Sequence, residues 1–291
     1  MKGIILAGGS ATRLRPASLA VSKQLMPVYD KPLIYYPLTT LILSGIQQIL
    51  LISTPQDLPQ YKRLFKDSHL WGIEINYAEQ PNPGGLAEAF LIGEEFIKNE
   101  PVCLILGDNL FHGIGLGRQL RDAYDGIGGL ITAYQVSDPR AFGVVNIDKH
   151  GNALHLEEKP SAPISNWAIP GIYFYDQTVS ARVRRQKKSA RGELEITDLN
   201  KSYLNEKKLK VTKFARGTTW LDMGTPEGLL EASQYVRVIQ ERQGLLIGSP
   251  EESAWRMGLI NDQQLCDIIS NFTNTKYGQY LEKILEGNSE F

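Results

Sequence analysis

The residues best suited to phosphate chemistry come first. The apolar run 4–7 (IILA) ends in Gly8-Gly9, and Ser10, Ala11, Thr12, Arg13, Leu14, Arg15 and Pro16 follow, with Lys23 a little further on. A glycine-rich loop leaving a strand lets main-chain N–H groups approach an anion with no Cβ in the way, and such loops form anion-binding concavities. Arg13 adds a bidentate fork for phosphate oxygens and Lys23 a point charge. The same residues also suit a plain strand-to-helix turn carrying two surface cations. A second cluster, Leu106-Gly107-Asp108-Asn109, directly follows the apolar run 102–106 (VCLIL). A carboxylate at that strand end faces the same crevice and is placed to hold Mg²⁺, a hard cation that takes oxygen ligands and bridges phosphates. Asp108 equally fits a helix N-cap or a turn. Asp222, in Trp220-Leu221-Asp222-Met223-Gly224-Thr225-Pro226, supplies a second acid at another strand-to-helix junction, where Asp222 and Thr225 are also good caps.

Glu158-Lys159, within LEEKP, places an acid and a base side by side at a strand end. Together they can share a sugar phosphate, Glu158 accepting from hydroxyls and Lys159 pairing with the phosphate; a solvated strand end explains them as well. Arg191-Gly192-Glu193-Leu194-Glu195 is similar, and the nearby cations Arg182, Arg184, Arg185, Lys187 and Lys188 read as a solvated helix face, with no aromatic interleaving of the kind nucleic acid requires. Other chemistries fail on spacing. There is no G-x-x-x-x-G-K-[ST] and no G-x-G-x-x-G after a strand, which disfavours a Rossmann oxidoreductase. The loop is one residue short of a nucleophile elbow, so Ser10 is a poor hydrolase candidate. His69, His112, His150 and His155 make no H-E-x-x-H.

These groups need a scaffold that brings strand ends together. Short apolar runs at 4–7, 49–53, 73–78 and 102–106 alternate with helix-like stretches at 32–44, from Pro55 to 65, and at 86–98. Strand, helix, strand at this spacing predicts βαβ units and a parallel sheet covered on both faces. Strands at 130–136, 144–147, 153–157 and 172–175 follow with less helix between them, so the sheet becomes mixed. From Pro226, a good first helical residue, the pattern turns helical, and 251–286 reads as two or three short helices. The expected fold is α/β: a Rossmann-like, mixed and mostly parallel central sheet flanked by helices, with a C-terminal helical appendage. The expected division is 1–243, with a nucleotide-binding half near 1–110 and a sugar-phosphate-binding half near 111–243, then a helical segment 244–291.

Composition narrows the class further. With 291 residues, 42% of them hydrophobic, the chain can build a large core. Thirty-one Lys and Arg against 32 Asp and Glu give no global pull toward nucleic acid or anionic membranes. Cys103 and Cys266 alone make no disulfide scaffold. No stretch reaches the ~18 apolar residues of a membrane span. A soluble cytoplasmic protein is expected.

In this order, GGSATRLRPASLAVSKQLMPVYDKPLIYYPL, EQPNPGGLAEAF, LGDNLF, FGVV, LEEKP, RGELEITD, WLDMGTPEGLLEA and YGQYL resemble the glucose-1-phosphate thymidylyltransferases, sugar nucleotidyltransferases that make dTDP-glucose. The resemblance runs from Met1 to about Tyr280. It implies that Leu6, Gly8, Gly9, Thr12 and Gln24 contact the nucleotide, and that Arg13 and Lys23 act on its phosphates. Gln80 and Gly85 would read the thymine, Asp108 would join the nucleotide site, and Asp108 and Asp222 would hold Mg²⁺. Gly143, Glu158, Lys159 and the main chain at Ile169 would line the glucose 1-phosphate pocket, with Lys159 joining Arg13 and Lys23 in catalysis. It further implies dTTP as co-substrate, a homotetramer, a role in dTDP-sugar and polysaccharide biosynthesis, and inhibition by a downstream dTDP-sugar at a second site. The chain departs from the family pattern at Ala11 (Gly in the family), Gly84 (Asp), Glu88 (Gln), Asn146 (Glu), Pro170 (Thr) and Met223 (Thr). Two other outcomes follow from those departures: the same transfer with UTP or another hexose 1-phosphate, or a weakly active relative that binds nucleotide-sugars as a sensor.

Overall fold

A computed structural model describes residues 1–9 and 11–287; Ser10 and residues 288–291, the end of the expected helical segment, lie outside the described residues. The nucleotide-side strands are β1 (Lys2–Leu6), the short hairpin β2 (Pro27–Val28) and β3 (Lys31–Pro32), β4 (Gln48–Ser53), β5 (Glu74–Glu79) and β6 (Val102–Leu106). Next come β7 (Asn109–His112), β8 (Gly129–Gln135), β9 (Gly143–Ile147), β10 (Ala153–Glu158), β11 (Trp167–Ala168), β12 (Ile172–Tyr175), β13 (Leu209–Lys213) and β14 (Thr219–Asp222). Helices α1 (Tyr35–Leu43), α2 (Leu58–Leu64), α3 (Ala89–Ile92), α4 (Glu94–Ile97) and α5 (Leu116–Ala123) are joined by α6 (Val179–Arg185) and α7 (Ile196–Asn205). The last four are α8 (Pro226–Gln243), α9 (Pro250–Arg256), α10 (Asp262–Ile269) and α11 (Lys276–Leu285).

The main sheet has the order β10-β9-β11-β8-β12-β6-β1-β4-β5, with β13 paired to β8. It is parallel through β6-β1-β4-β5 and turns antiparallel on both sides of β12, the mixed α/β architecture expected. Period-2 alternation splits the core into two layers. Ile5, Leu51 and Ile105 face α1, while Ile4, Leu50 and Leu104 face Phe90 of α3 and Val183 of α6. The C-terminal helices share the first layer through Ala254, Leu265 and Leu281. Each such fully buried aliphatic side chain stabilises the fold by roughly 1.5–3 kcal/mol.

Three expected helices begin or break elsewhere. The 32–44 stretch becomes helical only at Tyr35, because Pro32 closes β3 against β2. The helix from Pro55 starts at Leu58, after Thr54 and Asp57 have closed a turn with each other. The 86–98 stretch breaks at Gly93, where a Cβ would lie 3.0 Å from Leu50 Cδ2 and 3.1 Å from the Ala89 carbonyl. The close approach of helix to sheet there needs a glycine. Cys103 is buried, Cys266 is exposed, and both are free.

Candidate functional site

Parallel neighbours β1 and β6 are in register at Leu6 and Leu106. The parallel strand after β1 lies on one side of it and β6 on the other, which makes this a topological switch point where the loops diverge and open a crevice. The Gly107 N–H donates to the Leu6 carbonyl at 2.9 Å, and a Cβ on Gly107 would sit 3.0 Å from that oxygen. The crevice has a volume of about 770 Å³ and runs from the Gly8-Gly9 loop to the far end of β10.

On the nucleotide side, Leu6, Gly8, Gly9, Arg13, Gln24, Gln80 and Gly85 line it. Gly9 has φ +97° and Gly85 +96°; a Cβ at Gly85 would also lie 2.4 Å from the Leu194 carbonyl. Ala11 stands at φ 42°, ψ 40°, the left-handed region, and caps a short 3₁₀ turn over Thr12–Leu14. Thr12 is exposed and lies off the crevice wall. Lys23 also lies behind the wall, in a short ion pair with Asp108. Buried Gln24 is held by Ser22 and Tyr61.

Two acids meet at the floor. Asp108 is the turn between β6 and β7, so the helix N-cap alternative does not apply; at the other junction Thr225 caps α8, accepting from the Gly228 N–H at 3.1 Å. Asp222 stands opposite Asn109 across the antiparallel pairing of β7 with β14, and the Met223 N–H donates to the Asp108 carbonyl at 3.0 Å. Asn109, 2% exposed, accepts on Oδ1 from Trp220 Nε1 (2.6 Å) and the Gly171 N–H (3.1 Å), and donates through Nδ2 to Asp108 Oδ1 (3.0 Å). Burial, then the charge of Asp108, push the Asp222 carboxyl up to about 6 against the opposing pull of Lys23, Arg13 and Lys159. Arg13 approaches from outside: a Cβ on Gly224 would lie 3.1 Å from Arg13 Nη2 and 3.3 Å from Asp222 Oδ2. Among the described residues no three His, Cys, Asp or Glu side chains form a metal cluster. Two mutually repelling carboxylates with hard oxygen donors are nonetheless the set that suits Mg²⁺, which takes one or two carboxylates and completes its shell with phosphates and water.

The opposite wall carries Gly143, Glu158, Lys159 and Ile169. Glu158 pairs with Gly143 across β10 and β9, accepts from Thr197 Oγ1 at 2.6 Å, and lies 3.6 Å from Lys159 Nζ. The Ile169 N–H donates to the Gly143 carbonyl at 2.8 Å. Arg191, Glu193 and Glu195 close one end, with Arg191 bridging to Glu195 at 2.9 Å. Farther out, Arg182 and Arg184 of the basic stretch pair with Glu206 and Glu94. Asn146, Pro170 and Met223, three of the departures from the family pattern, do not line the crevice. Sequence reasoning missed Asn109, Thr197 and Trp220; all three stand inside quoted motifs, which was the available signal.

The Nucleotidyl transferase family model matches residues 2–238. A glucose-1-phosphate thymidylyltransferase of Mycolicibacterium smegmatis is 54% identical over 286 residues, 98% of this chain and 99% of that relative. The chain belongs to this nucleotidyl transferase family. A second glucose-1-phosphate thymidylyltransferase, from Mycobacterium tuberculosis, is 53% identical over 288 residues, 99% of this chain and 100% of its own length. Among solved structures, a UDP-glucose pyrophosphorylase complexed with UDP-glucose superposes with TM-score 0.72 at 24% identity, over 81% of this chain and 98% of that one, a likeness of fold. As a nucleotidyl transferase, the chain sets its cationic loop on one crevice wall and its Glu158–Lys159 pair on the other.

Proposed function

We propose that the protein transfers a thymidylyl group from dTTP to α-D-glucose 1-phosphate, giving dTDP-glucose and diphosphate. What supports this most is a single arrangement: the paired acids Asp108 and Asp222 lie between a cationic glycine loop and a second wall bearing Glu158 and Lys159. The named relatives supply the substrates of the reading. In it, main-chain N–H groups of the Gly8-Gly9 loop and Arg13 bind the triphosphate, while Lys159 and Glu158 hold the sugar phosphate. The sugar-phosphate oxygen attacks the α-phosphorus in line; the new P–O bond forms as the bond to diphosphate breaks, with no covalent enzyme intermediate. Arg13 and Lys159 flank the reacting phosphates and Lys23 adds its charge from behind the wall through Asp108, so the rate comes from positioning and charge neutralisation. Asp108 and Asp222 would hold Mg²⁺, which when bound neutralises phosphate charge. A homotetramer, a second site for a downstream dTDP-sugar and a cytoplasmic location belong to the same proposal; no helix among the described residues is long and apolar enough to cross a membrane.

Diphosphate release measured with dTTP and UTP against a panel of hexose 1-phosphates tests it. The expected best pair is dTTP with glucose 1-phosphate, and no pair exceeding a Lys159→Ala control overturns the proposal. A second reading, nucleotide-sugar binding with weak turnover, draws on the left-handed Ala11 in the phosphate loop. It predicts dTDP-glucose binding without turnover.

A further inference from the structure

Asn200 of α7 is 1% exposed and lines the crevice one helical turn beyond Thr197. Its Oδ1 accepts from the Tyr175 hydroxyl at 2.6 Å. That distance is ordinary for an O–H···O bond and short for an N–H···O one, so the amide oxygen, not the nitrogen, meets Tyr175. The reverse arrangement would also leave the hydroxyl proton without its acceptor. Tyr175 is wholly buried in β12 and does not line the crevice, so it grips the amide from the core side. Nδ2 therefore faces the other way, toward the crevice, and it has no hydrogen-bond partner among the described residues. Of the five buried side-chain atoms in that condition, it alone belongs to the crevice wall. The other buried asparagine of the site, Asn109, is bonded at both ends. Thr197, three residues earlier on the same face of α7, donates to Glu158 Oε2, so Nδ2 enters the crevice on the Glu158 side.

We propose that Asn200 is a specificity-determining residue for the sugar: its Nδ2 donates to the oxygen of one hexose hydroxyl whose proton goes to Glu158. The inference rests on the sugar-phosphate reading of this wall given above. A hydroxyl both donates and accepts, and a carboxylate beside an amide N–H meets both demands at once. The phosphate is not the acceptor, because its partner Lys159 is half-exposed while Asn200 is buried. Other groups on that carbon fail. A protonated amine gives its protons to Glu158 but offers Asn200 no lone pair, and a bare methylene leaves both protein groups unpaired. The pocket thus selects a hydroxyl there and rejects an amino or deoxy sugar. Tyr175 acts through Asn200 and is a positioning residue.

Calorimetric affinities of the intact chain for dTDP-glucose, and for a set of dTDP-glucoses each lacking one hydroxyl, read this without turnover. One deoxy compound is expected to bind the wild type about tenfold or more weakly than dTDP-glucose, the size of effect that buried groups left unpaired produce. In Asn200→Ala, dTDP-glucose itself should bind less tightly, so that penalty should shrink roughly five- to tenfold while those of the other deoxy compounds stay as they were. Asn200→Ala also strips the acceptor from the Tyr175 hydroxyl. If it does not fold, as judged by melting temperature, Asn200→Ala combined with Tyr175→Phe removes both partners and carries the same expectation. A purely structural Asn200 would weaken every ligand alike and leave each ratio in place, which overturns the inference, as does a wild type indifferent to every missing hydroxyl. Either result leaves the transferase proposal standing. If the ratios behave as expected while dTTP and glucose 1-phosphate give no turnover, the transferase proposal fails and this one stands. If dTDP-glucose does not bind the wild type, both fail.

Discussion

Asn109 and Asp222 face each other across the β7–β14 ladder, and the side chain of Asn109 holds the second acid, Asp108, from the side. The metal-type floor of the crevice is therefore built from one buried amide that satisfies an indole, a main-chain N–H and a carboxylate at once.

Asn109→Ala strips the acceptor from two buried donors, the Trp220 indole and the Gly171 N–H. Each unsatisfied group costs about 1–3 kcal/mol, so a loss of roughly 2–6 kcal/mol is expected. Urea unfolding should show it as a lower midpoint with an unchanged slope. A midpoint within error of wild type would mean that water or a neighbour replaces Asn109.

Asp222→Asn removes one of two like charges from a partly buried site, so folding should be unharmed or improved. Turnover should nevertheless fall on the order of 100-fold, and the rise of rate with added Mg²⁺ should weaken. Chelating divalent ions from the wild type should likewise abolish turnover without lowering its melting temperature much. A large drop in melting temperature for Asp222→Asn with the Mg²⁺ response intact would make the residue structural.

Much of this floor was legible in the sequence because its markers are local. A glycine pair after IILA and an Asp after VCLIL state what chemistry a strand end can do, whatever the strand pairs with. What was not legible is who meets whom. Thr197 reaches Glu158 from 39 positions away, and Trp220 reaches Asn109 from 111 away; neither residue type announces such a contact. Two-residue strands such as β3 carry no periodicity to detect, so Pro32 read as helix. Lys23 suited a surface cation until its ion pair with Asp108 placed it behind the crevice wall.

Glu251 supplies a pH dependence far from the crevice. It is fully buried at the start of α9, where burial pushes its carboxyl above the ordinary 4.5 although Tyr277, Ser249 and the charge of Lys31 pull it down. A carboxyl raised in the folded state holds its proton there more tightly than in the unfolded chain. Its contribution is therefore complete below pH 4.5 and is lost as pH rises through the folded value. Lys31, lowered by its own burial, faces it from β3, and Asp30 and Glu252 add charge nearby. Urea midpoints between pH 4.5 and 8 should fall more steeply in the wild type than in Glu251→Gln. Parallel profiles would remove Glu251 as the cause.

Ala11→Gly tests the phosphate loop. The left-handed conformation at φ 42° costs an L-residue roughly 1–2 kcal/mol, and glycine escapes that cost. Glycine also loses about 0.4–1 kcal/mol more in ordering from the unfolded chain. The two effects partly offset, so stability should rise by between about 0 and 1.6 kcal/mol. The turn is in any case held by the Leu14 N–H and the Ser18 hydroxyl, which donate to the Ala11 carbonyl at 3.0 and 2.8 Å, and a glycine keeps both bonds. Removing the Cβ matters more to a ligand, since it frees the loop to close on a phosphate. The expected outcome is a higher kcat/KM for dTTP with a melting temperature equal to or slightly above that of the wild type. A variant that gains stability and leaves kcat/KM where it was would show that Ala11 strains the backbone without touching the substrate.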